Sequence, residues 1–180
     1  MTLFIRYLIS FMYLTIYACN SQSYHKNDSL KLHEITLDDN TLIIKVSKDF
    51  VYEEYVHDPR IKILINEKDS DVNAIFIEKS IAYENSEAYL YSLMSGAIVK
   101  DSVSEPSNFT FGVEKISQNN QVTWVNYREI GEVEQPYITR YILDVKDQNA
   151  IVMIDFLSKT KLNEKLKKEY NDVVKTVEIE

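Results

Sequence analysis

Two stretches of this chain are patterned as antiparallel hairpins, and together they constrain the fold more than any other feature. Tyr137 to Val145 and Ala150 to Leu157 are strand-like runs on either side of the polar turn Lys146-Asp147-Gln148-Asn149. Phe109 to Ile116 and Val122 to Ile130 flank Gln118-Asn119-Asn120-Gln121, where asparagine tolerates the positive φ that tight turns need. In the second strand of that pair the side chains alternate. Val122, Trp124 and Asn126 share one face, and Thr123, Val125 and Tyr127 share the other. Each hairpin fixes two neighbours in space, so this half of the chain predicts a four-stranded antiparallel meander.

The period changes elsewhere. Leu42 to Val46, Ile61 to Ile65 and Ala74 to Ile77 are short β-branched-rich runs, and Phe50-Val51-Tyr52 extends or follows the first of them. Between these and the meander, Ala88, Leu90, Leu93, Met94 and Ala97 recur at helical spacing behind a cap at Asn85 or Ser86, with Glu87 in the first turn. A second helix is predicted from about Lys161 to Lys175, capped by Thr160, with Leu162, Leu166, Tyr170, Val173 and Val174 facing inward. Val177 and Ile179 add a short edge strand. The expected class is therefore α+β: an antiparallel sheet of about six to seven strands packed with a central and a C-terminal helix.

The first eighteen residues are different in kind. Arg6 is their only charged side chain, Tyr7 to Ala18 is apolar apart from Ser10 and Thr15, and the run ends at Cys19, the single cysteine among 180 residues. A transmembrane helix wants roughly 20 apolar residues, and this run is shorter. It resembles a bacterial lipoprotein signal peptide, with Ile16-Tyr17-Ala18-Cys19 in the place of the lipobox. The resemblance implies that residues 1–18 are removed. It also implies that Cys19 carries the lipid and that the protein is anchored to a membrane of the bacterial cell envelope. On that reading residues 19–34 form a tether, most polar from Asn20 to Ser29, and residues 35–180 form one domain.

Charge narrows the partners. The chain carries a net charge of −8, and loss of Arg6 with the leader brings it to −9. Such a surface opposes nucleic-acid binding, which relies on Lys and Arg to neutralise phosphates. It equally lacks the basic face that would hold anionic lipid without an anchor. With one cysteine no internal disulfide can form.

Little in the chain suggests catalysis. No G-x-S-x-G elbow is present, and the three glycines are too scattered to build a phosphate loop. His57-Asp58-Pro59-Arg60 is the most site-like tetrapeptide, because a carboxylate can orient an imidazole, but it reads first as a polar turn before Ile61. Asp69-Ser70-Asp71 with Asn73 starts like a calcium loop but lacks the glycine and the distant glutamate of an EF-hand. His25 and His33 fall in the tether. No cofactor and no metal site is expected. The candidate recognition residues are aromatic: Tyr89 on the central helix, and Trp124, Tyr127 and Tyr141 on the meander. Tyrosine and tryptophan supply large amphipathic contact area, but strands also favour them for packing alone.

The element order resembles the Mog1/PsbP-like fold, over roughly residues 35–180. The points of similarity are the early strand Leu42–Val46 running toward Phe50, the helix Ser86–Ala97, the meander with Trp124 and Tyr127, and the late pair Tyr137–Val145 and Ala150–Leu157 before a C-terminal helix. The resemblance implies binding rather than catalysis, since that fold serves accessory and partner-binding proteins and many small lipoproteins. The expected function is a non-enzymatic, membrane-anchored envelope lipoprotein acting on a protein partner. The alternatives are a small-molecule or lipid-binding module, with its pocket between sheet and central helix, and an immunity-type inhibitor whose acidic face covers a basic toxin.

Overall fold

The computed structural model describes residues 30–56, 58–68, 70–101, 110–115, 121–128 and 136–180. Strand β1 (Leu30–Leu37) pairs with β2 (Asn40–Ser47), followed by β3 (Phe50–Glu54), β4 (Ile61–Asn66) and β5 (Val72–Ser80). Helix α1 (Ser86–Asp101) comes next, and then the meander β6 (Thr110–Lys115), β7 (Gln121–Arg128), β8 (Tyr137–Asp144) and β9 (Ile151–Ser158). Helix α2 (Glu164–Val174) and β10 (Glu178–Ile179) close the chain. The class is α+β with antiparallel strands, a central helix and a C-terminal helix, in the order that the Mog1/PsbP-like resemblance implies.

The strands divide into two sheets. Seven form one sheet in the order β3-β4-β5-β9-β8-β7-β6, and β1, β2 and β10 form a second, smaller one. The meander folds back so that its last strand, β9, pairs with β5 and joins the two halves of the large sheet. The small sheet and α2 lie on one face of the large sheet, and the main core fills the space between them. Ile35, Leu42, Ile44 and Val46 meet Leu64, Ile75, Ile77, Val152, Ile154 and Phe156, with Leu166, Tyr170 and Val174 contributed by α2. Each such side chain taken from water contributes about 1.5–3 kcal/mol before the entropy of ordering it. Phe156 stacks on Tyr170 at 4.2 Å and meets Tyr141 edge-on at 5.7 Å.

Strand β9 runs through the middle of the large sheet and is buried on both faces, from Ile151 to Phe156 without interruption. That explains why its sequence is apolar at every position from Ile151 to Leu157 except Asp155, and not alternating. The turn before it takes the residues the pattern predicts. Asp147 has φ 61°, and the Val145 amide donates to Ala150 at 3.0 Å. The turn expected at Gln118 to Gln121 lies largely outside the described residues, but the strands around it pair in register from Thr110↔Asn126 to Lys115↔Gln121.

Two boundaries differ from expectation. Strand β1 takes in Leu30 to Glu34, residues that fall inside the stretch read as a tether. His33, Ile35 and Leu37 face the core while Leu32, Glu34 and Thr36 face out, so the segment is an amphipathic strand whose inward positions happen to include a histidine. A two-residue turn with Asp38 at φ 52° then delivers it to β2. The second helix starts at Glu164, because the Asn163 side chain, not Thr160, accepts the Leu166 amide at 3.0 Å from an extended backbone. For α1 the cap is Asn85, which accepts the Ala88 amide at 2.8 Å.

Candidate functional site

The two faces of the large sheet are covered unequally. Opposite the small sheet, the first turns of α1 pack on the large sheet. Tyr89, Leu90 and Leu93 settle onto Val125, Ile142, Ile151 and Met153. The Ser86 amide donates to Asp144 at 2.6 Å and pins the helix start to the end of β8. The expected inner stripe is rotated: Met94 is exposed, and Tyr89, which lay outside that stripe, is the deepest residue of the helix. Among the described residues the first turns of the helix close on the sheet through these apolar contacts.

The cavity lies beside the helix instead. A cleft of about 290 Å³ opens on the uncovered part of this face, across β4, β5, β9, β8 and β7. Ile61, Phe76, Ile138, Met153 and Leu157 make an apolar floor, and Tyr127 and Pro136 stand at one end. Three charged residues interrupt it: Glu78, Arg140 and Asp155.

Arg140 and Asp155 are directly opposed in the β8–β9 ladder and form a two-pronged pair, Nε to Oδ1 at 2.7 Å and Nη2 to Oδ2 at 2.6 Å. Their side chains retain only 19% and 12% exposure, so the pair is mostly out of water. Arg140 also donates through Nη1 to the Tyr89 hydroxyl, with its guanidinium 5.6 Å from the Tyr89 ring centre. Tyr83 closes edge-on against Tyr89 at 5.0 Å. Burial opposes the charge on Arg140, but the hydrogen bonds and charge of Asp155 outweigh it and hold the guanidinium protonated above its ordinary range. Burial likewise pushes the Tyr89 hydroxyl up, against the pull of Arg140. The three side chains are thus tied together by hydrogen bonds at the end of the cleft next to α1.

Glu78 is different. It is half-buried on the cleft wall, diagonal to Asp155 across β5 and β9, and has no hydrogen bond or ion pair within the described residues. The Arg60 charge acts on it from a distance only, because Arg60 is itself paired with Asp58.

The four aromatic candidates do not share one surface. Tyr89 and Tyr127 lie on the α1 face, Tyr89 beneath the helix and Tyr127 at the cleft. Trp124 and Tyr141 lie on the opposite face, among the core residues. Tyr141 is fully buried and donates to Asn171 at 2.7 Å, and desolvation pushes its hydroxyl well up. Trp124 is roofed by Lys167, whose ammonium sits 5.0 Å from its ring centre and pairs with Glu114 at 3.2 Å. Tyr127 alone of the four lines the open cleft.

The remaining candidates resolve in part. Cys19 and His57 lie outside the described residues. Asp58 gives both carboxylate oxygens to Arg60, which holds its pKa down at about 2. Asp69 also lies outside, while Ser70 is engaged with Asn66 at 2.8 Å and with the Val72 carbonyl at 2.6 Å. Among the described residues no three His, Cys, Asp or Glu side chains converge to hold a metal, and no helix is long and apolar enough to cross a membrane.

The sequence reading passed over Arg140, Asp155 and Glu78. A signal was present. Counting back from the turn Lys146–Asn149 places Arg140 opposite Asp155, two opposite charges interrupting apolar positions of adjacent strands.

No family model and no curated protein matches the chain. Solved structures do. One is a protein of Bacteroides thetaiotaomicron, 14% identical with a TM-score of 0.48, matched over 77% of this chain and 45% of its own length. Another is the Ran-binding protein Mog1p of Saccharomyces cerevisiae, 9% identical with a TM-score of 0.46, matched over 80% of this chain and 84% of its own. This chain thus spans less than half the length of the Bacteroides protein. At such identities the likeness concerns the course of the chain and assigns no residue a role.

Proposed function

We propose that this chain is a non-enzymatic protein-binding module, held at a membrane of the bacterial envelope through Cys19, and that it docks its partner on the open part of the large sheet beside α1. One observation carries the docking surface. The cleft exposes Ile61, Phe76, Tyr127, Ile138 and Leu157 on a sheet whose opposite face is fully packed and whose near half is closed by α1. An apolar surface of this kind costs solubility unless something covers it. The pair Arg140–Asp155 is neutralised and tied to Tyr89, which suits it to shaping the surface and not to moving protons. A volume of about 290 Å³ is at the small end for a dedicated small-molecule pocket. It suits one or two side chains of a docked protein. The anchor rests on the apolar run ending at Cys19 and on the acidic charge, which leaves the chain no basic face for lipid.

Two experiments test the two halves. With Cys19→Ser the protein should move from the membrane to the soluble fraction of fractionated cells; retention in the membrane overturns the lipid anchor. A photo-crosslinking residue at Ile138, in the cleft, should capture a discrete protein in living cells, and one at exposed Tyr91 on the outer side of α1 should not. Equal labelling at both positions, or none at Ile138, overturns the docking surface.

A further inference from the structure

Resting on the docking surface proposed above, we infer that the cleft receives a long cationic side chain, arginine or lysine, from the partner. The floor and the charges together specify that chemistry. Ile61, Phe76, Met153 and Leu157 offer an apolar trough that would strip water from any polar chain laid in it, yet Glu78 stands in its wall with no partner among the described residues. A half-buried carboxylate on apolar ground is unfavourable until a cation or a donor meets it. The second carboxylate, Asp155, is already satisfied by Arg140, so Glu78 is the one lining carboxylate without a hydrogen bond or ion pair among the described residues.

Arginine and lysine fit both requirements at once. Their alkyl stems cover apolar surface while the charged head reaches a carboxylate or water. A stem lying over Met153 and Ile61 would bring the head to Glu78, and the rings of Phe76 and Tyr127 flank the path. An acidic side chain would meet repulsion from Glu78, and a purely apolar one would leave that carboxylate buried and unpaired. The net charge of the chain, −8, favours approach of a basic partner in the same direction.

The test is a titration of the chain, isotope-labelled in its Ile and Met methyls, with N-acetyl-arginine amide. N-acetyl-citrulline amide, which has nearly the same shape without the charge, is the control. Arginine amide should shift the methyls of Ile61, Ile138 and Met153 saturably, with citrulline amide at least about fivefold weaker, the ratio expected for one partly shielded ion pair. Glu78→Gln should fold normally by circular dichroism, since Glu78 has no hydrogen bond or ion pair to lose among the described residues, and should remove the difference between the two probes. Equal binding of both probes to the unaltered chain, or an undiminished preference in Glu78→Gln, overturns the inference. The crosslink at Ile138 separates this failure from that of the surface itself: a captured partner with no arginine preference leaves the surface standing and removes only the cation.

Discussion

Arg140 and Asp155 show how much a single ladder position can decide. Opposite charges facing each other on neighbouring strands are neutralised in place, and each protects the other from the cost of burial. Removing one should therefore cost more than removing both. Arg140→Leu or Asp155→Leu alone is expected to destabilise by roughly 2–4 kcal/mol, because it leaves a charge stranded on an apolar floor, whereas the double leucine variant should recover a large part of that loss. Urea unfolding of the four proteins measures it, and strictly additive losses would mean that the two side chains do not depend on each other. The pair was legible in the sequence, since the four-residue turn sets its register. That Tyr89 would complete it was not, because the contact joins residues 51 positions apart through the packing of a helix.

At the scale of elements, strand faces were readable and helix faces less so. The alternation in β7 assigns Val122 and Trp124 to one side and Val125 and Tyr127 to the other, and the packing agrees. A strand has only two faces, and a one-residue error exchanges them, so the pattern is unambiguous. In α1 the expected stripe is rotated about the helix axis, with Tyr89 turned to the sheet and Met94 to solvent. Trp124 also imposes a demand on the strand beside it. A Cβ at Gly112 would come within 2.9 Å of the indole ring, so β6 accepts glycine there to let the ring lie flat. Gly112→Ala should destabilise by about 1–3 kcal/mol and shift the emission of Trp124, the only tryptophan in the chain. Unchanged emission and stability would mean that the indole finds another place without cost.

Across the whole molecule, the small sheet is tied to the large one by more than apolar contact. Lys79 on β5 is almost fully buried and donates to Asp39 and Asn40 of the β1–β2 turn and to Gln148 of the β8–β9 turn, so one ammonium joins both sheets. His33 lies further along β1, opposite Ile44 of β2 and buried, its pKa lowered by desolvation and then by the nearby Lys31 charge. The folded state therefore resists its protonation, and the unfolded chain takes up the proton more readily. Its contribution to stability is complete above about pH 6.5 and is lost progressively as the pH falls below that value. Thermal unfolding between pH 7.5 and 5 should show this decline, and His33→Leu should flatten it; an identical slope in the variant would remove His33 as the cause. The sequence by itself determined the strands of the meander, the register of its second hairpin, both helices and the α+β class, because these follow from local periodicity and turn chemistry. Only the tertiary structure decided that the early strands form a second sheet and that four aromatic candidates fall on two faces. It alone placed Glu78, without a hydrogen bond or ion pair among the described residues, in a cleft beside α1, because these depend on how distant strands pair and on where a helix packs on a sheet.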